Sequence, residues 1–166
     1  MTINTTQEKF THELGDIYDA EHRFLKGQEE MLAQATDPQL QGMIKQHMQQ
    51  TQGHITNLDQ AFKILGAPAK AEKCDAAAGL VTEAQKTLKE AGTPEIRDCL
   101  IGGAAAKVEH YEIASYRGLI TGAQLMGQQE VMALLQKNLQ QEEQTAQLIE
   151  QSAPTLLQKA MKAEGK

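Results

Sequence analysis

Tryptophan is absent, aromatic residues make up 4% of the chain, and proline occurs only four times in 166 residues. Glycine and proline are few and clustered, so long stretches run without a helix breaker. No segment alternates apolar and polar residues over a useful length, which argues against a sheet. No apolar run approaches the length of a membrane span. The start, Met1 to Thr6, is polar and carries no secretory pattern. Only two cysteines occur, Cys74 and Cys99, with neither CxxC nor metal-ligand spacing. Two unpaired cysteines fit a reducing cytosol, so a cytoplasmic location is expected. Basic residues form no stripe, and the formal net charge is −6. A phosphate-binding surface is thereby disfavoured, and nucleic acid is excluded as the main partner.

What is present is helix-forming. Ala, Gln, Leu, Glu and Met dominate. The length and a 40% apolar content suit one domain over residues 1–166 with a single core. Four long helical stretches are expected, over about 7–34, 38–65, 94–126 and 128–152, with a shorter one at 76–90. Thr36-Asp37-Pro38 stops the first and caps the second. Gly66 ends the second, Thr93-Pro94 opens the third, and Gly127 breaks the chain before the fourth. Pro154 is expected to end the fourth, placing the core at about 7–153. Residues 155–166, with Lys159, Lys162 and Lys166, would be a solvated polar tail. Short joints at Asp37 and Gly127 make antiparallel hairpins, and the joint over 67–93 is long. An antiparallel four-helix bundle with a long middle crossover carrying a short extra helix is the ferritin-like, all-α architecture.

Each long helix has an apolar stripe at spacings of three and four, and each stripe is interrupted near its middle. Glu21 interrupts the first, His47 and Gln50 (beside Thr51) the second, Glu109 and Glu112 the third, and Glu142 the fourth. Helix midpoints share one level in an antiparallel bundle, so these groups converge. Four buried carboxylates repel one another, and no Lys or Arg occupies a matching stripe position. Bound metal neutralises several at once. Carboxylates with imidazole suit iron or manganese. Glu109 and Glu112, at i and i+3, share a face, as do His47 and Gln50. The metal ligands are therefore read as Glu21, His47, Gln50, Glu109, Glu112 and Glu142. His54 and Glu143 are weaker candidates. Tyr18, Thr51 and Tyr116 are read as groups that support the ligands.

With those residues in view, the chain resembles the YciF/YciE family of bacterial ferritin-like stress proteins. The segment Lys107-Val-Glu-His-Tyr-Glu-Ile-Ala-Ser-Tyr116 is its most specific match. Tyr18-Asp-Ala-Glu21, the crossover from Lys73-Cys74 to Gly79-Leu80, and the stretch from Leu134-Leu135 to Glu142 also fit. The resemblance implies a di-iron-type site with ligands Glu21, His47, Glu109, Glu112 and Glu142. It also implies stress-associated expression and a homodimer. Related sequences tend to carry Glu where this chain has Gln50, and some carry Asp at Ala146. Gln brings no charge and bridges metals poorly. Three alternatives stay open for the second metal: one tightly bound ion only, a different metal, or recruitment of His54.

The leading functional expectation is oxidation of Fe(II) by oxygen or peroxide at a centre of two irons per chain, protecting against oxidative stress. Manganese-dependent peroxide dismutation is a rival on the same scaffold, and zinc is a further metal. A non-catalytic dimeric stress bundle with a structural or incomplete metal site is the third reading.

Overall fold

The computed structural model describes residues 2–165; Met1 and Lys166 lie outside the described residues. Five helices follow in order: α1 (Thr6–Gln34), α2 (Pro38–Ile64), α3 (Asp75–Lys89), α4 (Pro94–Leu125) and α5 (Gln129–Glu164). Among the described residues there is no strand.

Four of the five helix starts, all but that of α5, are capped by a side chain. Thr5 and Glu8 exchange hydrogen bonds in a capping box at α1, with Glu8 N donating to Thr5 Oγ1 at 3.1 Å and Thr5 N donating to Glu8 Oε2 at 3.0 Å. Asp37 Oδ1 accepts from Gln39 N and Leu40 N, each at 3.0 Å, and Pro38 follows as the first helical residue. Thr93 and Pro94 repeat the device at α4. Gly66 (φ 65°) and Gly127 (φ 71°) take left-handed backbone at the ends of α2 and α4, where glycine carries no Cβ penalty.

Helix α1 packs on α2 and α4, and α5 packs on the same two, which closes a ring of four. The crossover returns the chain along the bundle, so α4 starts beside the start of α2. Asp98 fixes that junction: it accepts from Thr36 N at 2.8 Å, Thr36 Oγ1 at 2.7 Å and Asp37 N at 2.9 Å. All four neighbouring pairs are thus antiparallel, and the diagonal pairs are parallel. The crossover carries α3, which lies against α1 and α4. It crosses α1 at Gly15, whose carbonyl accepts from Glu72 N at 3.0 Å. A Cβ at Gly15 would come within 2.7 Å of the Lys70 carbonyl oxygen.

The expected end at Pro154 is corrected. Helix α5 runs through Pro154 to Glu164, and the expected polar tail is helix as far as that residue. Pro154 is exposed and forfeits one backbone bond, at a cost of roughly 3 kcal/mol. Beyond it, Leu156 and Ala160 are buried, and Leu156 packs in one cluster with Ile101, Leu40 and Ile44. A buried leucine returns roughly 1.5–3 kcal/mol. Lys159 adds an ion pair with buried Asp37, and the Lys159 ammonium holds the Asp37 carboxyl below its ordinary range.

Most of the buried apolar residues fall into two clusters. One contains Phe10, Leu14, Ile17, Phe24, Leu58, Leu119 and Leu135; the other contains Met31, Leu40, Ile44, Ile101 and Leu156. Buried polar groups from all four long helices lie at the middle of the bundle.

Candidate metal centre

The stripe of each helix delivers its interrupting residue to the bundle axis. Glu21, His54 and Glu142 are fully buried, Glu109 and Glu112 are 1% exposed, and His47 is 5% exposed. Among the described residues, two groups of donor atoms form. One is His47, Glu109, Glu112 and Glu142; the other is Glu21, His54 and Glu142; within each, one donor atom per residue lies within 4.8 Å of all the rest. Glu142 belongs to both.

The donor atoms face one another without joining. His47 Nε2 lies 2.9 Å from Glu109 Oε1 and 3.8 Å from Glu142 Oε2. His54 Nδ1 lies 2.8 Å from Glu142 Oε1 and 3.4 Å from Glu21 Oε1. Yet neither nitrogen makes a well-formed hydrogen bond. Glu21 Oε2, Glu109 Oε2 and both oxygens of Glu112 and Glu142 are also buried and unpartnered. Such groups are costly to bury and need a compensating partner. Donors around one ion, at bonds of about 2.0–2.2 Å, stand about 3 to 4.4 Å apart. The spacing and the orphaned atoms both fit a bound metal ion, and Glu142 is the residue the two groups share.

A hydrogen-bonded shell holds the imidazoles and Glu21 in place. His54 Nε2 faces Gln141 Oε1 at 2.9 Å. His47 Nδ1 faces Gln50 Oε1 at 3.4 Å, and Thr145 Oγ1 donates to that oxygen at 3.2 Å. The Tyr116 hydroxyl donates to Glu21 Oε1 and accepts from Asn138 Nδ2 at 3.0 Å; Asn57 Nδ2 donates to Asn138 Oδ1 at 2.6 Å.

Burial raises all four carboxyls above their ordinary range. Glu109 and Glu142 rise to about 7, and Glu112 rises well above 4.5 because Glu142, Glu21 and Glu109 add like charge to its burial. Burial also raises Glu21, against the pull of His54. For His54, burial favours the neutral ring, but Glu142 and Glu21 outweigh it and lift the imidazole to about 10. Without metal, the His54 imidazolium is the cation among the carboxyls.

The structure brings Glu21, His47, Glu109, Glu112 and Glu142 together, as the stripes suggested. Other expected positions differ. His54 sits at the centre with its Nδ1 turned inward, not at its margin. Gln50 is half-buried on the outer nitrogen of His47, away from the side that faces Glu109. Glu143 is exposed and pairs with Arg117 Nη2 at 2.7 Å, because the inward position of that turn belongs to Glu142. Tyr18 also lies elsewhere: Ile17 takes the inward position, and the Tyr18 hydroxyl donates to Asp59 Oδ1 at 2.9 Å. Thr51 is buried and accepts from Gln28 Nε2 at 3.0 Å. Asn57, Asn138, Gln141 and Thr145 were not anticipated. The signal for Asn138 and Thr145 was in the sequence, since Leu135, Asn138, Glu142 and Thr145 follow one another at spacings of three and four.

Comparisons with known proteins agree with this architecture. A family model described as "Domain of unknown function (DUF892)" matches residues 5–162. Protein YciF of Escherichia coli is 33% identical over 146 residues, covering 87% of this chain and 88% of YciF. The crystal structure of the E. coli stress protein YciF superposes with a TM-score of 0.89 at 31% identity, covering 95% of this chain and 99% of that one. YcfI of Rhodopseudomonas palustris gives a TM-score of 0.88 at 36% identity, covering 89% and 94%. A protein from Xanthomonas campestris, at 23% identity and a TM-score of 0.81 over 98% of this chain and 100% of its own, shares the fold. With the family model spanning nearly the whole chain and YciF matching over most of its length, this chain belongs to the YciF family.

Proposed function

We propose that this protein holds two iron ions, one in each donor group, and oxidises Fe(II) in protection against stress. The observation that carries the reading is Glu142, a fully buried carboxylate common to both groups, whose two oxygens have no partner in the protein. When bound, two Fe(II) ions supply one electron each, so that dioxygen with two protons leaves as hydrogen peroxide, or peroxide with two protons leaves as two waters. The chain's part is to position and to exclude water. Glu109, Glu112 and Glu142 would offer negative charge to a first ion, with the His47 imidazole beside them. Glu21 and Glu142 would do so for the second, beside His54. Tyr116 and Asn138 orient Glu21, and Gln141 orients His54. The stress role draws on the kinship with the stress protein YciF. Homodimerisation and a cytoplasmic location belong to the same reading, and gel filtration checks the first.

The test is metal stoichiometry by mass spectrometry after anaerobic Fe(II) loading, a brief air pulse and desalting. Two irons per chain are expected for the parent, and fewer than one for Glu142→Ala. A parent that retains no iron refutes the reading. Loading with manganese and zinc in parallel checks the metal.

One observation favours a single-metal or structural site. Gln50 brings no charge, and the second group has only Glu21 and His54 besides the shared Glu142. One iron per chain, in the group of three carboxylates, would be its mark.

A further inference from the structure

The core contains a cavity that the candidate ligands do not fill. It measures about 40 Å³. Phe24, Met31, Ile44, Val81, Val108 and Ile149 contribute to its largely hydrocarbon wall. His47 and Glu109 belong to the same wall, so the cavity adjoins the donor group of three carboxylates directly. Half-buried Leu80 and Val81 of α3 and Ala105 of α4 bound it toward the outside. Gln28 lines it too and is 8% exposed; Thr51 holds one end of its amide, and the other end has no partner.

Size and polarity narrow the occupant. A water needs about 10–15 Å³ of such space, and a cavity that takes benzene has about 150 Å³. This cavity therefore accepts a molecule of two or three heavy atoms, and it is too small for an aromatic ring or an acyl chain. Water in a cavity needs two to four polar partners. Away from the candidate ligands, the wall names only the free end of the Gln28 amide and the Thr145 hydroxyl, which already donates to Gln50. Hydrogen peroxide, polar at both ends, is served no better than water. Dioxygen is apolar and two atoms long.

We propose that this cavity, walled by all four long helices and closed over by α3, is the site from which dioxygen reaches the centre, arriving beside His47 and Glu109. The inference rests on the iron reading above and deepens it, since it makes dioxygen and not peroxide the oxidant the fold accommodates. The electrons and protons balance as stated there: two Fe(II) give two electrons, and dioxygen with two protons becomes hydrogen peroxide.

Xenon is an apolar probe for such a cavity and needs no metal. Crystals of the metal-free protein are pressurised with xenon. In parallel, stopped-flow oxidation of loaded Fe(II) is followed against dioxygen and against hydrogen peroxide, for the parent and for Ala105→Leu, which turns bulk into the cavity. Val81→Phe, on α3 outside the four-helix ring, is the second variant should the first not fold. The parent is expected to bind one xenon against Val108 and Ile149, and the variant none. The second-order rate constant with dioxygen should fall about tenfold in the variant, while its peroxide rate and iron content stay parental. A parent without xenon overturns the proposal. So does a variant that excludes xenon yet keeps the parental dioxygen rate. Failure to take up iron overturns the iron reading and the dioxygen assignment with it, and the xenon result then stands separately as a measure of the cavity.

Discussion

Glu142 and His54 face each other at 2.8 Å, where a metal and a proton would compete for the same atoms. Without metal, His54 holds a proton beside Glu142 and Glu21. With metal, that proton must leave, as must those on Glu109 and Glu142. Ligation needs neutral imidazole and ionised carboxylate, so uptake releases protons. Glu109 and Glu142 titrate at about 7 and His54 at about 10, so all three hold protons at pH 6. Apparent metal affinity should therefore rise by at least about tenfold from pH 6 to pH 8. Calorimetry in buffers of different ionisation enthalpy would count the protons released, and an affinity flat across that range would contradict the assignment. The five stripe residues were legible because a carboxylate or imidazole in an apolar stripe has no cheap alternative fate. His54 was harder, since it lies two helical turns from His47. Two donor groups strung along the bundle axis let one helix serve both, which no single-helix pattern reveals. Asn138 is hidden by its neighbour, since half-buried Leu139 is the apolar residue met four positions after Leu135.

Helices α1 to α4 were legible to within one or two residues, because their limits are written as Thr5, Asp37-Pro38, Gly66, Thr93-Pro94 and Gly127. The end of α5 was not. Pro154 is a local breaker, and its override is tertiary: Leu156 and Ala160 have somewhere to bury. The packing of the crossover on α1 was equally invisible, since Gly15 reads as a mild helix weakener. In the structure it is the place where the strap crosses. Gly15→Ala would ordinarily stabilise a helix interior by about 1 kcal/mol. Here the added Cβ meets backbone oxygen at 2.7 Å, and the strap must move. A net loss of about 1–3 kcal/mol is expected in urea unfolding of the metal-free protein. A stabilised variant would mean that the strap is not held there.

Across the molecule, the centre divides the hydrophobic core into two clusters and places ionisable groups where a bundle would otherwise bury leucine. Stability should then respond to pH in opposite ways with and without metal. In the metal-free protein, Glu109 and Glu142 are raised from 4.5 to about 7, and His54 from 6.5 to about 10. Folded-state pKa values above the unfolded ones favour folding at low pH. The carboxyl contribution is complete below pH 4.5 and is lost as pH rises through 7; the His54 contribution is complete below 6.5 and is lost towards 10. The melting temperature in chelator should thus fall between pH 5.5 and 8, and excess metal should reverse that trend. Parallel slopes in the two conditions would place metal elsewhere. There is also a consequence of topology. The four helices each lend side chains to one centre, so bound ions tie together points far apart along the chain. Both cysteines are free, and the ions would act as the cross-link that no disulfide supplies. They would shrink the unfolded chain's freedom through closed loops, and a chelator would stand to this fold as a reductant stands to a secreted one.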